Sequence, residues 1–258
     1  MSRRFYKLIV LLLLFFSWRN IWAQAPASYY QPMRIYDEAL SLFETQKYAS
    51  AHECFSRYLN DGRAKESTLE MNARYYSALC ALYLTQPDAE FQLEKFVRDY
   101  PESPWCKRAF WELARFNYQR KAFKAALEWF MKIDAAELKE SEVAEYHYKR
   151  GQCYFEKKDL QAARMDFAIS KKYEGEYKSP SIYYYSHILY VSDDLQSALD
   201  GFLSIQSDNR FMATLPEYIT TIYHRQRKWN EVINYAVPQL ENNRVEKEKA
   251  RASLSHLV

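Results

Sequence analysis

The sequence predicts an all-α protein built of stacked helix–turn–helix units, and three observations carry that reading. The chain holds only four glycines and eight prolines in 258 residues, where average usage of ~7% would supply roughly eighteen glycines. A small residue followed four positions later by a bulky apolar one recurs with a spacing near 35 residues. A second small residue precedes each of these by 11 or 12 positions. Glycine this scarce leaves few places where φ can turn positive or where backbone can approach a ligand closely. A dinucleotide fold, a phosphate-cradling loop and a many-turned β-sandwich are excluded on that ground. The remainder is rich in good helix formers.

From the N-terminus, Arg3, Arg4 and Lys7 precede an unbroken apolar run over residues 8–16. That run is much shorter than the ~20 residues a spanning helix needs. A basic start, a short apolar core and small residues after it read as a secretory signal peptide over 1–23, cleaved after Ala23. An uncleaved anchor, extended by Trp18, Ile21 and Trp22, is the alternative. The first cysteine is Cys54, so no lipid-accepting cysteine stands at the cleavage point. Of the chain's formal charge of +3, Arg3, Arg4, Lys7 and Arg19 carry +4, leaving −1 for the rest. That balance argues against nucleic-acid binding, which needs a basic surface. The reading is of an exported protein, periplasmic or associated with the outer membrane.

After a short linker over 24–31, the repeats begin. The segments 47–55, 88–96, 122–130, 159–167, 194–202 and 228–236 align on Ala51, Ala89, Ala126, Ala163, Ala198 and Val232. The bulky partners are Phe55, Leu93, Phe130, Phe167 and Phe202, and the sixth unit reverses the sizes with Ala236. The earlier small residues are Ala39, Ala78, Ala114, Gly151, Ser186 and Thr220. Each unit is therefore helix A, a polar turn and helix B, with close helix approach at the small residues and an aromatic filling the space beside it. Neither helix is long enough to bury its apolar face alone, so the units must stack.

These residues resemble the tetratricopeptide repeat (TPR) signature, W-x₂-L-G-x₂-Y…A-x₃-F…P. Gly151, Tyr154, Ala163 and Phe167 match it in the fourth unit; Leu113, Ala114, Ala126 and Phe130 in the third; Ala89, Leu93 and Pro101 in the second. The segment Phe96–Pro104 is similar to a junction found in exported envelope TPR proteins of bacteria. The resemblance implies a right-handed superhelix with repeats over about 32–65, 70–103, 107–140, 144–177, 179–212 and 213–243, then a terminal helix over 245–258. That last helix is either a polar cap or the first helix of a longer array. The resemblance also implies a non-catalytic, protein-binding scaffold of the cell envelope.

In such a superhelix the A helices line the concave face. Three residues before the small A-helix position stand Tyr36, Tyr75, Trp111, Tyr148 and Tyr183; four after it stand Phe43, Leu82, Tyr118, Phe155 and Tyr190. Positions seven apart share a helix face. The functional reading is an aromatic-lined groove for a protein or peptide partner, formed by Tyr36, Tyr75, Trp111, Tyr118, Tyr148, Phe155, Tyr183 and Tyr190, with Arg115 and His187 as polar contacts. Packing between repeats is the competing use of the same rings. Arg115 stands as an isolated cation, unlike the Lys/Asn clamp of TPR proteins that grip acidic C-termini. Other roles open to the chain are assembly through helix B faces or its C-terminal end, and stacking on peptidoglycan glycans.

No catalytic or metal site is expected and no cofactor is implied. The five histidines are scattered, and no H-E-x-x-H, nucleophile elbow or phosphate loop is present. Cys54, Cys80, Cys106 and Cys153 lack zinc spacing. They read as small buried helix residues, although export would permit disulfides.

Overall fold

The computed structural model describes residues 27–61 and 68–238. The segment expected as a signal peptide and the terminal helix expected over 245–258 lie outside the described residues. The helices are α1 (Ala27–Glu44), α2 (Tyr48–Asn60), α3 (Thr68–Tyr83), α4 (Ala89–Asp99), α5 (Cys106–Gln119) and α6 (Phe123–Phe130). A 3₁₀ turn at Ala135–Glu137 follows, then α7 (Glu140–Glu156), α8 (Leu160–Ser170), α9 (Lys178–Val191), α10 (Leu195–Ser204) and α11 (Leu215–Arg225). Helical residues 229–238, here α12, complete the sixth pair. No strand occurs among the described residues. The chain is all-α, a series of helical hairpins. The first helix starts at Ala27, inside the stretch expected as linker.

The chain divides into two compact units, residues 1–113 and 114–258, with the division falling inside α5. In both units the hairpins close on the register the sequence prescribes. Ala51, Ala89, Ala126, Ala163 and Ala198 have 0% exposure, as do Phe55, Leu93, Phe130, Phe167 and Phe202. Each such Phe or Leu withdraws enough apolar surface to favour folding by about 1.5–3 kcal/mol. In the sixth pair Val232 and Ala236 are only half-buried, and Trp229, Ile233 and Val237 on α12 are 54%, 59% and 45% exposed.

Every A–B turn has the same chemistry, and it is not the chemistry of glycine. Gln46, Thr85, Lys121, Lys158, Asp193 and Arg227 all sit at φ between 53° and 67°. At each, two N–H groups bond back into the preceding helix: Lys158 N–H to Phe155 O and Asp159 N–H to Tyr154 O, both 3.0 Å, are one example. This closure satisfies carbonyls that the helix end would orphan. The sequence expectation that positive φ requires glycine is therefore corrected. The doubly bonded turn tolerates the left-handed conformation at a cost of about 1–2 kcal/mol per residue. In the fourth and fifth hairpins the next residue then caps helix B, with Asp159 accepting from Ala162 N–H at 3.1 Å and Asp194 from Ser197 N–H at 3.3 Å.

Consecutive hairpins are joined by ring stacking. Phe55 stacks on Tyr76 (5.8 Å, 11°), Phe167 on Tyr184 (5.2 Å, 13°) and Phe202 on Tyr218 (5.0 Å, 25°). Each Tyr lies two positions before the small residue of the following A helix. The fourth hairpin has Lys149 there, and Phe130 meets Tyr146 edge-on instead at 5.7 Å. A buried hydroxyl chain adds to these contacts: Ser181 Oγ donates to Ser170 Oγ at 2.9 Å, and Ser170 Oγ to Ala144 O at 2.8 Å, tying α9, α8 and α7 together.

All four cysteines are buried and free. Burial pushes the Cys80 and Cys153 thiols up to about 12, so neither presents a thiolate at neutral pH.

Candidate functional site

The stripe of A-helix rings divides into two populations. In the first unit, Tyr36, Tyr75 and Trp111 are 5%, 1% and 3% exposed. They belong to the core and do not line a groove. The reason is local packing. Tyr36 rests on Phe55 (6.0 Å) and Tyr58 (5.4 Å). Tyr75 is sandwiched by Trp105, stacked at 4.9 Å and 14°, and by Phe96 at 5.4 Å. Trp105 is fixed by its indole N–H, which donates to Asn72 Oδ1 at 2.7 Å. Desolvation raises the Tyr75 phenol far above its ordinary range.

In the second unit the equivalent side chains are half-buried. Tyr148, Phe155, Tyr183, His187, Tyr190 and Tyr118 are all of this kind. Several of them, with Tyr218, form a connected set of rings. His187 lies 5.6 Å from Phe155, 6.4 Å from Tyr183 and 5.6 Å from Tyr218, and Tyr190 lies 5.3 Å from Tyr218. Tyr183 also stacks on Phe211 at 4.8 Å. Burial, helped by Tyr218, pushes the Tyr183 phenol up to about 12. Burial first and then the Lys158 ammonium hold the His187 imidazole below its usual value, so it is neutral at pH 7. Its Nδ1 is buried with no hydrogen-bond partner, as is Ser186 Oγ beside it. A buried polar atom without a partner costs about 1–3 kcal/mol.

Two polar expectations change. Arg115 is not an isolated cation: its Nε lies 2.9 Å from Glu145 Oε1, and Lys149 Nζ lies 2.5 Å from the same oxygen. Glu145 thus holds both cations. Tyr118 donates its hydroxyl to Gln152 Oε1, with Lys149 Nζ 5.3 Å above its ring. Tyr118 and Arg115 are engaged within the protein, and the accessible ring set begins at Tyr148.

A buried ionic cluster escaped the sequence reading. Asp166 (2% exposed) accepts Arg150 Nε at 2.8 Å and Arg150 Nη2 at 2.6 Å, and sits 2.7 Å from His147 Nδ1. Arg150 also donates to the Tyr146 hydroxyl, which donates in turn to Phe130 O at 3.2 Å. His147 and Arg150, one turn apart on the fourth A helix and facing an acid before Phe167, were the available signal. The bidentate pairing binds α7 to α8. The rings of Tyr184 and Tyr218 were also missed, although their place two residues before Ser186 and Thr220 was readable. Among the described residues no group of His, Cys, Asp and Glu is disposed to hold a metal.

No protein-family model and no curated protein matches the chain. Solved structures do. A MamA structure (AMB-1) superposes with a TM-score of 0.57 at 12% identity, covering 70% of this chain and 92% of its own. The C-terminal part of a TPR repeat-containing protein from Cytophaga hutchinsonii superposes with a TM-score of 0.59 at 14% identity, covering 80% and 81%. The chain thus has the helical-hairpin fold of tetratricopeptide repeat structures, which it also resembles in its residues.

Proposed function

We propose that the protein is a non-catalytic scaffold that holds a segment of a partner protein against the A-helix face of its second unit. The observation that carries this is the ring set Phe155, Tyr183, His187, Tyr190 and Tyr218, half-buried and in contact with one another, with Tyr148 joined to it through Tyr184. Rings supply contact area at low entropy cost, and the Tyr hydroxyls supply polar handles at their edges. The TPR fold supports the reading, because stacked hairpins present extended binding surfaces. A photo-reactive benzophenone side chain placed at Tyr190 should crosslink to one defined partner in intact cells, while one placed at the exposed Arg164 on α8 should not. Equal crosslinking from both positions contradicts the reading.

The place of action proposed is the bacterial envelope. Its support is the basic and apolar pattern of residues 3–23 and the junction-like segment Phe96–Pro104. Fractionation should find the full chain outside the cytoplasm and a chain lacking residues 2–23 inside it. A second reading, self-association, is favoured by exposed Trp229, Ile233 and Val237 at four-residue spacing on α12. Sedimentation of the chain with Ile233→Ser tests it, the variant remaining monomeric where the parent dimerises.

A further inference from the structure

A groove of about 1200 Å³ lies in the second unit between α6, the turn before it and the C-terminal end of α7. Its cause is twofold. Helix α6 has eight residues, against 10 in α10, 11 in α4 and α8 and 13 in α2, so less of the following A helix is covered. Cys153, two residues after Gly151, stands where the third, fifth and sixth hairpins carry Phe116, Ile188 and Ile222. The smaller side chain leaves space at the bottom. The second hairpin has Cys80 at that place, but there the preceding B helix is α2, with 13 residues, and it covers Cys80.

The groove's chemistry is amphipathic. Phe123, Leu127 and Met131 line it beside Cys153, and Met131 is 60% exposed. Exposed Lys121, Lys124 and Lys157 lie along its edge with Lys132, against two acids, Glu128 and Glu156. We propose that this groove docks a short amphipathic helix of a partner protein, apolar on one side and acidic on the flank. Met and Phe adapt to aliphatic anchors, and the lysines attract carboxylates and set the orientation. The length of α6, about 12 Å at 1.5 Å per residue, matches two to three turns of such a helix.

The test titrates the full chain into a fluorescein-labelled 14-residue peptide with Leu at helical spacing and Glu elsewhere, followed by anisotropy. A matched peptide with Lys in place of Glu is the control. The Glu peptide should bind saturably and the Lys peptide at least tenfold more weakly. Lys124→Glu with Lys157→Glu should weaken the Glu peptide at least tenfold, with unchanged circular dichroism. Cys153→Phe, which fills the space, should abolish binding. Should that buried change unfold the chain, the two surface substitutions still decide. Absence of saturable binding, equal binding of both peptides, or unchanged affinity in the charge-reversed variant would overturn the proposal. So would self-association of the parent chain that the same charge reversal abolishes, since the face would then belong to a second copy.

Discussion

Gly151 lies directly against Phe167: a Cβ added at 151 would meet the Phe167 ring at 3.0 Å and Asp166 Cβ at 3.1 Å. One hairpin later the arrangement is reversed. Ser186 occupies the place of Gly151, Gly201 occupies the place of Asp166, and a Cβ at 201 would collide with Ser186 Oγ and meet Ser186 Cβ at 3.2 Å. Each of these two hairpins thus keeps one glycine at the closest approach of A and B, on opposite helices. In the fourth, glycine on helix A makes room for the carboxylate that Arg150 and His147 grip.

Exchanging the two sides in the fifth hairpin should therefore be tolerated, whereas changing one side alone should not. Gly201→Ala destabilises through overpacking, by about 1–2 kcal/mol. Adding Ser186→Gly restores the loss, giving a favourable coupling of about 1–2 kcal/mol. A double-mutant cycle from urea unfolding measures it, and additive effects would refute the close-approach account.

The six left-handed turn residues carry removable strain. Lys158→Gly and Asp193→Gly should each stabilise the chain by about 0.5–1 kcal/mol, the relief of the Cβ clash outweighing glycine's greater freedom when unfolded. Lys158→Val should destabilise it, because a β-branched side chain tolerates positive φ worst. Shifts in urea midpoint in these opposite directions are the check.

Removing the carboxylate from the buried cluster strands the Arg150 guanidinium and takes the hydrogen-bond partner from His147 Nδ1. Asp166→Ala should cost about 3–5 kcal/mol, the usual consequence of deleting one member of a buried pair. Asp166→Asn should also destabilise, although it keeps nearly the same shape. Thermal unfolding distinguishes the charge effect from the packing effect.

The His187 environment predicts a pH dependence. Its folded value is depressed by burial and by Lys158, so the unfolded chain binds more protons as pH falls below about 6.5, the ordinary histidine value. Stability from this group is complete above that pH and is lost as pH falls toward the folded value. His187→Gln should flatten the stability profile across this window. An unchanged slope would show that the imidazole is not desolvated.

What the sequence could reveal follows the division between register and environment. The 35-residue period located Ala51 to Ala198 and Phe55 to Phe202, because burial at those positions is set by helix geometry within one hairpin. It did not separate Tyr75 from Tyr183, which share one register position. Tyr75 is covered by Trp105, a residue of the connecting segment outside the repeat, whereas Tyr183 is partly open. Asp166 reads as an ordinary polar helix residue until Gly151 is seen to admit it. The turns misled because glycine scarcity was equated with scarcity of positive φ. Paired backbone bonds hold Lys158 and its five equivalents in that conformation.

The claim that the accessible ring set of the second unit holds the partner is tested most directly by calorimetry. The partner segment crosslinked from position 190 is titrated into the full chain and into a His187→Ala, Tyr190→Ala variant, with helicity followed in parallel. The account predicts at least tenfold weaker binding to the variant at unchanged helicity. Equal affinity of the two proteins would contradict it.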